Sequence, residues 1–169
     1  MSEIKRFDIA GPIEVKMMGG RRSRLVGSDS LSSFFEDHPE IAKARGCYVF
    51  AVRAGRGITP IYVGKATKSF GQECFADHKL KHYNEGLLDY QKGSPVLFFV
   101  TEPISRGRTN AKAIDEIEKY LIVLAAAANE NLRNNHKRSR ERWGIRGLIR
   151  SGKGRTGEAH AKFRGMLNL

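Results

Sequence analysis

The run Val96-Leu97-Phe98-Phe99-Val100 is apolar at every position, and nothing else in the chain limits its fold as sharply. A strand with one face in water alternates polar and apolar residues, whereas a strand without alternation needs cover on both faces. The run follows Pro95 and is succeeded by a Gly- and Arg-containing stretch, Glu102 to Asn110, that reads as a loop. A central strand with cover on both sides is the expectation.

Two shorter apolar runs fit beside it. Gly46-Cys47-Tyr48-Val49-Phe50 and Ile61-Tyr62-Val63-Gly64-Lys65 each carry a tyrosine near a glycine, and Gly55-Arg56-Gly57-Ile58-Thr59-Pro60 joins them. That composition between two β-rich runs signals a hairpin. On this evidence alone the tyrosines read as core or interface residues of an ordinary hairpin, and a site role depends on what lies further along the chain.

Two helices follow from spacing. Gln72 to Tyr90 reads as one helix, with Ala76, Leu80, Tyr83, Leu87 and Tyr90 at intervals of three and four. Ala111 to Ala128 reads as another, capped at Thr109 or Asn110, with a stripe of Ile114, Ile117, Leu121, Leu124, Ala125 and Ala128. The order strand, strand, helix, strand, helix predicts an α+β fold: a small three-stranded, mostly antiparallel sheet flanked by helices.

Residues 1–45 read as an N-terminal extension packed on that core. Phe7 to Val15 can hold one or two short strands broken at Gly11-Pro12, and Gly19 to Arg24 is a basic loop. A helix capped by Ser30 runs through Leu31, Phe34 and Phe35 toward Ala44, where Pro39 can interrupt it. Residues 136–169 read as a basic C-terminal extension.

Composition narrows the class. A chain of 169 residues, 40% of them hydrophobic, supports one good core. Cys47 and Cys74 lack the spacing of a structural zinc site or a disulfide framework. The longest apolar run, Leu121 to Ala128, is far short of the roughly 20 residues of a membrane span. The first residues lack the apolar core of a secretion signal, so a cytoplasmic protein without a membrane partner is expected.

Charge carries the first functional signal. A net charge of +12 and an isoelectric point near 10.0 call for a polyanionic partner, with nucleic acid ahead of an acidic membrane surface. Arg133, Lys137, Arg138, Arg140, Arg142, Arg146, Arg150, Lys153 and Arg155 stand against a single acid, Glu141. This stretch reads either as a phosphate-contacting arm or as a solvated basic tail. Within it, Gly147 to Gly154 approaches a phosphate-binding loop, but Gly154 replaces the hydroxyl residue that would bind Mg²⁺, so no nucleoside triphosphate is expected. Trp143 there is an anchor or a stacking surface for a base.

Two features break the helical patterns. Glu118 lies four residues after Ile114 and three before Leu121, which directs it along the edge of the apolar stripe. Glu116 points the other way, and Asp115 lies further off the stripe, where water solvates it. A carboxylate aimed at the core side is costly unless it is paired or binds a metal ion. Cys74, His78 and His82 fall at i, i+4 and i+8, a ridge that can ligate a soft metal, face a pocket as acid, base or phosphate donors, or stand idle on the surface.

Gly46-Cys47-Tyr48 and Tyr62-Val63-Gly64 on a hairpin, Glu118 on the later helix and Asn134 after it together resemble the GIY-YIG nuclease superfamily over residues 46–135. In that comparison Cys47 and Val63 replace the usual isoleucines, His82 stands for the family histidine, His78 takes the place of its arginine, and Lys79 is a neighbouring cation. The resemblance implies a DNA endonuclease with Mg²⁺ or Mn²⁺ held by Glu118 and water. It implies Tyr48 as general base, provided that its surroundings lower its pKa, because an unperturbed tyrosine near 10 is a poor base. Tyr62 would position the nucleophile or the phosphate, His78, His82 and Lys65 would neutralise developing charge, and Asn134 would orient the site or its backbone. Lys65, Lys79 and the basic arm would hold DNA. A non-catalytic nucleic-acid-binding relative and an interaction module for a protein or membrane partner are the alternatives.

A nucleic-acid partner predicts steep loss of binding with salt, about 0.9 log unit of affinity per tenfold salt for each phosphate neutralised. Titrations of duplex DNA at several salt concentrations check this, and a flat response would point to the interaction module.

Overall fold

The computed structural model describes residues 6–18, 25–103, 109–134, 154 and 157–167. Lys137, Arg138, Arg140, Arg142, Arg146, Arg150 and Lys153 lie outside the described residues, as do Trp143 and the loop 19–24. Residues up to Lys137 form one compact unit and those from Arg138 a second. In the first unit the elements run β1 (Asp8–Glu14), α1 (Ser28–Asp37), α2 (Pro39–Lys43), β2 (Gly46–Ala54), β3 (Gly57–Ala66), α3 (Phe70–Glu73), α4 (Asp77–Leu88), β4 (Ser94–Thr101) and α5 (Ala111–Ala128). In the second, α6 (Glu158–Met166) is described, with Phe163 and Met166 exposed.

The fold is α+β, with a four-stranded antiparallel sheet in the order β1-β4-β2-β3. The apolar run is inside it: β4 lies between β1 and β2, and Val96, Leu97 and Phe99 are fully buried. The expectation of three strands is corrected by β1, which pairs with β4 from Asp8↔Thr101 to Glu14↔Val96. Gly11-Pro12 does not break this strand but makes a bulge in it, with the register shifting between Ala10 and Ile13. An edge strand tolerates such a feature because Pro12 need not donate to the ladder, and Gly11 has φ of 118°, a conformation that favours glycine.

The helices differ from the sequence reading where local backbone groups find other partners. Pro39 ends the first helical stretch as expected: α1 stops at Asp37 and α2 begins at Pro39. Ser30 is not the cap but a buried residue inside α1, which starts after Gly27. The single helix expected over 72–90 is two, α3 and α4, separated by extended backbone at Ala76. Ser69 caps α3 by accepting from the Gln72 N–H. The Cys74 carbonyl, which a continuous helix would satisfy internally, instead accepts the Tyr83 hydroxyl proton. The turn between β2 and β3 is only Gly55-Arg56, and Ile58 to Pro60 belong to β3.

One face of the sheet packs Tyr48, Phe50, Leu97 and Phe99 against Phe34 of α1, Phe70 of α3, and Tyr83 and Leu87 of α4. The other face packs Val63 and Val49 against Ile122, Ala125 and Leu121 of α5. The bounds of α5 and its Asn110 cap match expectation, but its stripe is rotated: Ile114, Ile122 and Ala125 are buried, whereas Leu124 and Ala128 are exposed.

The free edge of β3 is closed by a side chain. Asn134 Oδ1 accepts from the Val63 N–H at 2.8 Å and Asn134 Nδ2 donates to the Val63 carbonyl at 2.7 Å. Arg133 N–H donates to the Ile61 carbonyl and Asn129 Nδ2 to the Pro60 carbonyl, so residues 129–134 complete the edge. Asn134→Ala leaves two buried backbone groups unpaired and is expected to cost about 2–3 kcal/mol, read as a lower urea midpoint. An unchanged midpoint would show that the edge needs no such cap.

Candidate active site

Tyr48 and Gly64 are register partners on β2 and β3, and this pairing builds the floor of a cleft. A Cβ on residue 64 would lie 2.2 Å from the Tyr48 hydroxyl oxygen, so only glycine admits the ring. Tyr48 is completely buried, its hydroxyl makes no hydrogen bond among the described residues, and its ring meets Phe70 edge-on. Above Gly64 opens a cleft of about 370 Å³. It is lined by Tyr62 and Lys65 of β3, His78 and Lys79 of α4, and Glu118 of α5.

Alternation along β3 places these groups. Tyr62 and Gly64 face the α4 side, while Lys65 faces α5. Lys65 Nζ lies 2.5 Å from Asp115 Oδ1 and 3.3 Å from Glu118 Oε2. Asp115 also holds Lys119, at 2.6 Å. The Glu118 side chain is only 12% exposed, so the pattern-breaking carboxylate is indeed turned inward. Its pairing with Lys65 offsets part of the desolvation cost.

On the opposite wall, Lys79 lies with Nζ 5.2 Å from the centre of the Tyr48 ring and donates to the Glu73 carbonyl. Burial pulls its pKa below the ordinary lysine value, with Cys74, Glu73 and Glu118 opposing that shift. His82 stacks on Tyr62 with centroids 5.3 Å apart and planes 9° from parallel, and burial lowers its pKa. His78 is exposed at the cleft.

Burial works against ionisation of Tyr48. Burial raises its phenol well above the ordinary 10.0, and Cys74 adds to the shift. Tyr83 is likewise raised by burial, and burial pushes the Cys74 thiol up to about 12. These groups form a buried, protonated cluster, in which Cys74 Sγ lies 3.9 Å from the Tyr83 hydroxyl.

Of the residues expected at a site, Tyr62, Lys65, His78, Lys79 and Glu118 come together in the cleft, with Tyr48 beneath it and His82 behind Tyr62. Asn134 is buried on the Val63 edge and does not line the cleft. Arg133 pairs with Asp89 at 2.5 Å and donates to the Glu85 carbonyl, so its guanidinium is engaged in packing α4. The ridge Cys74-His78-His82 does not form, because Cys74 ends α3 in the core while both histidines belong to α4. Among the described residues no group of three or more His, Cys, Asp or Glu is arranged to hold a metal ion. Asp115, which its place off the stripe gives to solvent, instead joins the cluster, and its i,i+3 relation to Glu118 is the sequence signal for that.

Glu118 fits one role for a hard divalent ion. Mg²⁺ keeps much of its water and needs only one or two carboxylates, and Glu118 offers an oxygen donor to an open cleft. Compared with known proteins, the chain matches no protein-family profile, no curated protein and no solved structure. No described helix is long and apolar enough to cross a membrane.

The raised phenols and thiol have a consequence for stability. In the unfolded chain they ionise near their ordinary values, 9.0 for cysteine and 10.0 for tyrosine, while the folded state retains the protons. Stability from these groups is complete below about pH 9 and falls as pH rises beyond it. Urea midpoints from pH 8 to 11 are expected to fall less steeply for Tyr48→Phe than for wild type. Parallel curves would show that Tyr48 ionises as freely folded as unfolded.

Proposed function

We propose that this protein is a metal-dependent endonuclease of GIY-YIG type that hydrolyses DNA phosphodiester bonds. The observation that carries the reading is the convergence of Tyr62, Lys65, His78 and Lys79, from β3 and α4, with the sequence-distant Glu118 of α5 on one cleft. The net charge of +12 supports a nucleic-acid substrate. The fourth strand adds to the expected three-stranded core without disturbing the hairpin on which the resemblance rests.

Glu118 would hold Mg²⁺ or Mn²⁺, which supplies Lewis acidity at the phosphate. Lys65 and Lys79 face the cleft from opposite walls and neutralise charge that develops on the phosphoryl oxygens. In this reading Tyr48, whose phenol is raised by burial, underlies Gly64 and the cleft floor and is not the proton acceptor. The proton of the attacking water goes to the exposed wall, where the His78 imidazole faces the cleft and can accept it. Tyr62, its ring fixed by the stack with His82, orients the phosphate or the water through its hydroxyl.

A second reading, a DNA-binding protein without catalysis, is favoured by one contact: Lys65 already neutralises Glu118. Supercoiled plasmid and branched DNA with Mg²⁺ or Mn²⁺ separate the two. Wild type is expected to nick, Glu118→Ala to lose about 10²–10³-fold in rate, and Tyr48→Phe to stay within about threefold of wild type. Nicking that survives Glu118→Ala, or no nicking alongside salt-sensitive binding, removes the enzymatic reading. A Tyr48→Phe defect as large as that of Glu118→Ala returns the base to Tyr48.

A further inference from the structure

Lys65 stands where a cation bound to Glu118 has to come. Its ammonium bridges two carboxylates on adjacent turns of α5, at 2.5 Å from Asp115 Oδ1 and 3.3 Å from Glu118 Oε2. The closer contact is to Asp115, whose second oxygen is tied to Lys119. The backbone on either side has little freedom to separate them. Lys65 sits in the β2–β3 ladder opposite Cys47, and the Cys47 thiol donates to the Ile114 carbonyl of α5, one residue before Asp115. Movement is left to the lysine side chain, which is 33% exposed.

An ammonium and a divalent ion on one carboxylate repel each other, and they do so more strongly where the carboxylate is largely withdrawn from water. We propose that Lys65 is a built-in competitor for the divalent ion at Glu118, and that Asp115 is the residue that retains it when the ion binds. In the ion-free protein Lys65 neutralises Glu118. Ion binding moves the ammonium wholly onto Asp115, which keeps it at the wall of the cleft, where a phosphate can meet it. Asp115 is thus a positioning residue, acting through Lys65. The inference rests on the reading of Glu118 as the metal ligand and adds a cost to metal binding that this chain's own lysine sets.

Mn²⁺ binding to the full chain without nucleic acid, followed by the electron-paramagnetic-resonance signal of the free ion, tests it directly. Lys65→Met is expected to bind Mn²⁺ about fivefold more tightly than wild type, the scale of one partly exposed ion pair. Asp115→Asn is expected to weaken binding in the wild-type background and to have a smaller effect in the Lys65→Met background, because there is no longer a lysine to retain. Lys65→Gln repeats the measurement if Lys65→Met does not fold, as judged by circular dichroism. Equal or weaker binding by the folded Lys65 variant overturns the competition, and an Asp115→Asn effect undiminished in that variant overturns the retaining role. If wild type, Lys65→Met and Glu118→Ala all fail to bind Mn²⁺, the metal reading of Glu118 falls first and the inference with it.

Discussion

The close approach of Tyr48 to Gly64 is the contact through which the core and the cleft depend on each other. A buried phenol occupies the space that a side chain at residue 64 would fill. The same ring takes part in the aromatic core that joins Phe70, Phe99 and Phe34, and so ties α3 and α1 to the sheet. Gly64 also lines the cleft at which Tyr62, Lys79 and Glu118 meet. Packing at this density leaves little room for either residue to change alone.

The charges of the cleft obey a similar economy. Glu118 is inward and costly, Lys65 offsets that cost, and Asp115 with Lys119 holds Lys65. Lys79 loses hydration against the Tyr48 ring but gains the Glu73 carbonyl. Each group is partly withdrawn from water and partly satisfied, which is the condition under which a ligand's charge can shift the balance. Burial raises the Tyr48 phenol within the same balance, and its hydroxyl makes no hydrogen bond among the described residues.

Much of this was legible in the chain. The apolar run of β4 required a central strand, the spacing of α5 located its ends and cap, and the inward turn of Glu118 followed from its offset to Ile114. Less legible was anything settled by a partner distant in sequence. β1 looked like part of an extension because Gly11-Pro12 suggested a break, yet β4 accepts it as an edge strand with a bulge. The helix over 72–90 looked continuous because its apolar spacing carries through residues 74–76, yet the Tyr83 hydroxyl claims the Cys74 carbonyl. The resemblance gives Asn134 the orientation of the site or its backbone, and only the fold shows that its amide substitutes for a neighbouring strand along β3.

The sequence by itself determined the layers, the hairpin with its paired tyrosines and glycines, the inward acid and the basic character, because each rests on side-chain periodicity or on charge that near neighbours reveal. Tertiary structure alone decided that Tyr48 lies beneath Gly64 while Tyr62 faces the cleft, that Lys65 bridges Asp115 and Glu118, and that Cys74 parts company with His78 and His82. These depend on strand register and on which backbone groups are left without a partner. Both are properties of segments brought together only when the whole sheet forms.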